Sequence, residues 1–279
     1  MRITAVFFLT VFFFSLFNVP SVRAQTASDS STITVNPVDL LGGEVQQLKD
    51  EYARNLSIYR NDERLYIIAK GQYKQLPTLA SLEEVVQSTR TVMLSRGAVL
   101  LTHLHLLRVS LQNTPGIDLN VKALQLKKID AAIAALTLHI SHVQSAQDKP
   151  AIAVMSAEFA SIEPQFEGLA TETLSLITYG NIQAVFDKTL TVKDEVQKAV
   201  FAEETDAIAL SAKKRGLDEI DRNLNDVGSV LKGVQTNETA SLNSQRSSQG
   251  SQNIGSDLNT VFAGLSRTLS LLQEEVTNK

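Results

Sequence analysis

Apolar residues recur seven positions apart through most of this chain, and that spacing constrains the fold more than any other feature. Near the N-terminus one series reads Val38, Val45, Tyr52, Tyr59, Tyr66, Tyr73 and a second reads Leu41, Leu48, Asn55, Asp62, Ala69, Leu76. Two such series side by side make a helical seam with two polar interruptions, Asn55 and Asp62. No segment shows convincing strand alternation. The expected fold is all-α: an elongated antiparallel bundle of coiled-coil hairpins with about five to six helices, preceded by a signal peptide.

Breakers and caps divide the seams. The first helix is expected over Val38–Leu76 and ends at Pro77. Ser81 with Glu84 reads as a capping box opening a second helix that runs to Gln112, before Asn113-Thr114-Pro115-Gly116. The third covers Asp118–Ala146, with Leu119, Leu126, Ile129, Ile133, Leu136, Ile140 and Val143 on its apolar face and Lys122 as the exception. Asp148 and Pro150 read as cap and first residue of a fourth helix, faced by Ile152, Met155, Phe159, Ile162, Phe166 and Leu169. Pro164 predicts a kink in it. Tyr179-Gly180-Asn181 leaves two readings open, in which Ile182–Val234 either continues the fourth helix or folds back as a fifth. The seam is strongest at Leu217, Ile220, Leu224, Val227, Leu231 and Val234. Residues 235–253 are polar and low in complexity and read as a linker. A last amphipathic helix, within 254–279, carries Leu258, Phe262, Leu265, Leu269, Leu272 and Val276. The domain reading is therefore a leader over 1–24, a linker over 25–37, a bundle over 38–234, the linker, and the C-terminal helix.

The leader is a secretory signal by pattern: Arg2, an apolar run from Ile3 to Val19, Pro20, and Val22-x-Ala24 before a cleavage point between Ala24 and Gln25. An uncleaved membrane anchor is the alternative, since about 17 apolar residues sit at the lower limit for a span. The expected location is secreted, periplasmic or cell-surface, and membrane contact is expected only if the segment is retained. The chain has no cysteine, so a secreted form is held together by its core rather than by disulfides. It carries 26 basic and 30 acidic residues, a net charge of −4, and two of the arginines leave with the leader. Its longest basic run is Lys213-Lys214-Arg215, too little to neutralise a phosphate backbone, so no nucleic-acid partner is expected.

On a helical wheel the second helix places Thr89, Arg96, His103 and Ser110 along the middle of its apolar face. A buried cation and imidazole need partners. If the first two helices turn back near Thr78, Asp62 lies opposite Arg96 and Asn55 opposite His103. This predicts a buried polar layer of Asn55, Asp62, Arg96 and His103 with an Asp62–Arg96 ion pair, serving either to fix helix register or to hold a ligand. His139 and His142 fall on one face beside the third seam and form a weak metal pair, because zinc wants three or four ligands. No cofactor and no metal are expected. His-Glu-x-x-His, Gly-x-Ser-x-Gly, phosphate-binding glycine loops and cysteine nucleophiles are all missing. The functional expectation is a non-enzymatic helical interaction or scaffold protein that pairs with a protein partner or itself. The alternative is an extracytoplasmic ligand-sensing or ligand-carrying bundle with its site around Arg96 and His103.

Overall fold

The structure, a computed structural model, describes residues 37–203, 207–243 and 250–277. The leader, the cleavage point at Ala24 and Gln25, and the linker up to residue 36 lie outside the described residues. Six helices follow in order: α1 Pro37–Gln75, α2 Leu79–Asn113, α3 Leu119–Ser145, α4 Lys149–Glu203, α5 Ala207–Asn243 and α6 Gly250–Thr277. The described residues form no strand. The all-α expectation is met, and most seams are where the heptads put them.

α2 is the central helix of the first half. It packs against α1 on one side and against α3 and α4 on the other. No residue from Val92 to Leu111 is exposed, so the wheel's distinction between an apolar and a polar face disappears there. This all-round burial explains its composition: α2 is long and apolar enough to cross a membrane by length and composition, yet half of that apolar window is buried in the protein. Gly97 permits the close approach of α3, because a Cβ there would stand 2.7 Å from Ile140 Cγ1.

α4 serves both halves. Its first part packs on α2 and α3 and its second part on α5 and α6, which also pack on each other. The two readings left open for Ile182–Val234 both contain part of the answer. The helix runs unbroken through Tyr179-Gly180-Asn181 to Glu203, and the chain then returns as α5. Pro164 is accommodated on an exposed turn inside the continuous helix. The α5 seam is as expected, with Leu217, Ile220, Leu224, Val227, Leu231 and Val234 all buried.

Several boundaries differ from expectation. The cap of α2 is Thr78, whose hydroxyl accepts from Ser81 N–H while the Thr78 N–H donates to Ser81 Oγ; the box is Thr78–Ser81 rather than Ser81–Glu84. Asp148 does cap α4, accepting from Ala151 N–H at 2.8 Å, with Lys149 rather than Pro150 as the first helical residue. Leu119 opens α3 facing solvent, 78 % exposed. Lys122 interrupts the α3 seam because its ammonium reaches the Thr114 and Gln112 carbonyls at the end of α2, where cations are favoured. Residues 235–243 continue α5 and 250–253 belong to α6, so most of the expected linker is helical. In α6 the buried line is Leu258, Val261, Leu265, Thr268 and Leu272. Phe262 and Leu269, expected on that line, are turned outward.

The halves meet at two glycines. Gly116, in the α2–α3 turn, has φ +70°, a left-handed conformation that favours glycine. A Cβ there would lie 2.3 Å from the Gly180 carbonyl oxygen, and a Cβ on Gly180 would lie 2.4 Å from Ile117 Cγ1 and 2.5 Å from the Pro115 oxygen. The turn is thus seated directly on the backbone of α4.

Candidate functional site

The polar residues singled out in the sequence do lie between helices, but in two separate groups. Toward the N-terminal part of α1, Asn55 Nδ2 donates to Thr102 Oγ1 at 2.9 Å, and Thr102 in turn donates to the Ala98 carbonyl at 3.0 Å. The expected Asn55–His103 contact is displaced by one residue along α2. A one-residue step on a helix is a turn of about 100°, which sends His103 to a different neighbour. Its ring lies against Tyr52, centroids 5.7 Å apart. Burial holds the His103 imidazole below its ordinary pKa, favouring the neutral form.

Arg96 departs further from expectation. Asp62 is half-buried on α1, but the two do not form an ion pair. The Arg96 guanidinium instead lies over the face of Phe159 on α4, 3.6 Å from the ring centroid. Burial lowers its pKa, opposed by the nearby carboxylates of Glu163 on α4 and Glu63 on α1. A planar, weakly hydrated guanidinium is stabilised by an aromatic face in an interior that a carboxylate would enter only at a desolvation cost. The sequence pointed to the charge but not to its partner, because Phe159 read simply as one more apolar member of the α4 face.

His139 of α3 also stands against Phe159, ring centroids 5.4 Å apart. His139 is not beside the seam as expected but within the core. Nδ1 of His139 and Nδ1 of His142 each stand 3.5 Å from the same Oε1 of Glu158. Glu158 was not anticipated; its place one residue before Phe159 and four before Ile162 was the available signal. His139 and His142 therefore share a carboxylate, while the described residues contain no group of three or more donors arranged to hold a metal ion. Farther along the α3–α4 interface, fully buried Gln125 and Thr173 are joined by a 2.9 Å hydrogen bond, beside a Lys128–Glu172 ion pair at 3.2 Å.

Four of the five tyrosines were expected on one line, and Tyr52, Tyr59, Tyr66 and Tyr73 are all half-buried. Tyr59 donates to Glu63 at 3.2 Å, and Tyr66 accepts from Lys70 at 3.0 Å. Burial, with the adjacent Glu63 carboxylate, pushes the Tyr59 phenol up to about 12. Tyr73 borders an open cavity of about 240 Å³ between α1, α2 and the start of α4, floored by Val85, Val86 and Ile152. Lys149 stands at its edge, with its ammonium 6.0 Å from the Tyr73 ring centroid. That volume lies below the roughly 300–1,000 Å³ usual for small-molecule pockets. No family model, curated protein or solved structure matches the chain.

Proposed function

We propose that this is a non-enzymatic helical interaction protein, exported by its leader, that works as a scaffold or spacer through its helix surfaces. The supporting observation is on α6. Phe262 and Leu269 lie seven residues apart and are 65 % and 45 % exposed, beside the buried line that docks α6 onto α4 and α5. α6 thus carries a second apolar line facing outward. Large side chains spaced at two turns on an amphipathic helix suit pairing with another helix. α1 repeats the pattern with Ile58 and Leu65, both about half exposed.

The ligand-binding alternative has less support. The space around His103 is taken by Tyr52 and that over Arg96 by Phe159, so rings of the protein itself fill the places a ligand would need.

The test is sedimentation equilibrium of the chain from Gln25 onward, compared with a Phe262→Ser/Leu269→Ser double variant. Concentration-dependent association that the variant loses, with its thermal unfolding unchanged, supports the reading. A monomer at every concentration, with no partner cross-linked through α1 or α6 in the source cell envelope or medium, overturns it.

A further inference from the structure

His139 is 2 % exposed, and neither ring nitrogen has a hydrogen-bond partner of good geometry. Buried polar atoms are nearly always satisfied, so an orphaned imidazole in a core calls for a reason. Three titratable groups act on it. Glu158 of α4 stands 3.5 Å from Nδ1, His142 of its own helix shares that carboxylate oxygen, and Arg96 of α2, stacked on Phe159, brings a positive charge close enough to act on it. Glu163 of α4 faces Arg96 and is engaged in balancing it.

The position of this layer matters as much as its charges. On one side lies the main core, which extends along α4 into α5 and α6. On the other lies a small separate core of Met93, Val143, Ala146 and Ile152 that closes the end of the α3–α4 hairpin, beside the open cavity. A charge forming at His139 would arise between a large cluster and a small one.

We infer that His139 is a proton-operated latch: when its orphaned nitrogen takes up a proton from solvent, the end of the α3–α4 hairpin over residues 143–152 loosens while the α4–α5–α6 core stays closed. The Glu158 oxygen is shared with His142 and so is not given to His139 alone, and Arg96 adds a like charge. Burial is the main cause holding the His139 pKa below its ordinary value of 6.5; Glu158 opposes this, while Arg96 and His142 reinforce it. The folded state therefore binds fewer protons here than the open state does. The stability contributed by the neutral ring is whole above the ordinary histidine value and is lost as pH falls below it.

The test is amide hydrogen exchange on the full chain at pH 7 and pH 5, expressed as protection factors so that intrinsic exchange rates cancel. In the native protein, protection over residues 143–152 is expected to fall at pH 5, by up to about 25-fold, the limit that proton linkage sets for one histidine neutral when folded and ordinary when open, with 217–234 unchanged. His139→Phe, which keeps a ring against Phe159, and His139→Gln, a neutral polar replacement, each remove the pH dependence. His142→Gln retains it. Equal protection at both pH values, loss spread equally over both segments, persistence in the His139 variants, or disappearance in His142→Gln overturns the inference.

Discussion

Phe159 has a cation on one face and an imidazole on another side, with Phe166 completing the cluster at 6.5 Å between centroids. Truncating it removes a nearly fully buried ring and leaves Arg96 without its stacking partner. Phe159→Ala is therefore expected to cost about 3–5 kcal/mol in urea denaturation, with Phe159→Leu costing less. Tyr59 gives a second residue-level expectation. Its phenol is pushed up to about 12, first by burial and then by Glu63. Because the folded value is raised, the stability that the protonated phenol contributes is complete below pH 10 and is lost as pH rises toward 12. Absorbance titration at 295 nm should show ionisation above an ordinary phenol from Tyr59 and also from Tyr52, which burial raises, and Tyr59→Phe should remove one tyrosine's share of it. Asn55 has a local role as well: its amide is engaged by Thr102, which makes the Asn55-Leu56-Ser57 sequon a poor glycan acceptor in the folded protein.

Among the elements, legibility followed periodicity. The seams of α3, α4 and α5 could be read because each has one buried stripe, and Leu136, Phe159 and Ile220 fall on them as expected. α2 could not be read in this way, because a helix buried on all sides has no polar face to orient it. The cap of α4 was legible from Asp148, since a side-chain oxygen ahead of a proline near a helix start has few other uses. Asp148→Ala should lower stability by about 1 kcal/mol in thermal or urea melts. The charged layer was half legible. Arg96 and His139 stood out by type, but their partners Phe159 and Glu158 come from α4, whose approach depends on tertiary packing that no local pattern records. The α6 line was misread by part of a turn, because Phe262 and Leu269 are larger and more apolar than Val261 and Thr268, which the packing prefers.

For the whole molecule the decisive element is α4, shared by both halves. Its downstream seam keeps a fixed rotation relative to its upstream one, at 3.6 residues per turn. Inserting a single alanine after Ala170 would turn the α5–α6 contacts by about 100° relative to the α2–α3 contacts. Calorimetry is expected to resolve two transitions in that variant and one in the native chain. Gly180→Ala tests the other tie between the halves. Its Cβ would stand 2.4 Å from Ile117, and the overpacking is expected to cost about 1–3 kcal/mol with helicity retained. The Gly116–Gly180 junction also differs in kind from the seams around it. A Leu in a seam can be exchanged for Ile or Met and the loss recovered by repacking nearby. Two glycines in backbone contact have no side chain to trade, and every replacement adds matter. Sequence drift at this joint has only one direction open to it, so the joint is a part of the molecule that can be worn loose but not re-tightened.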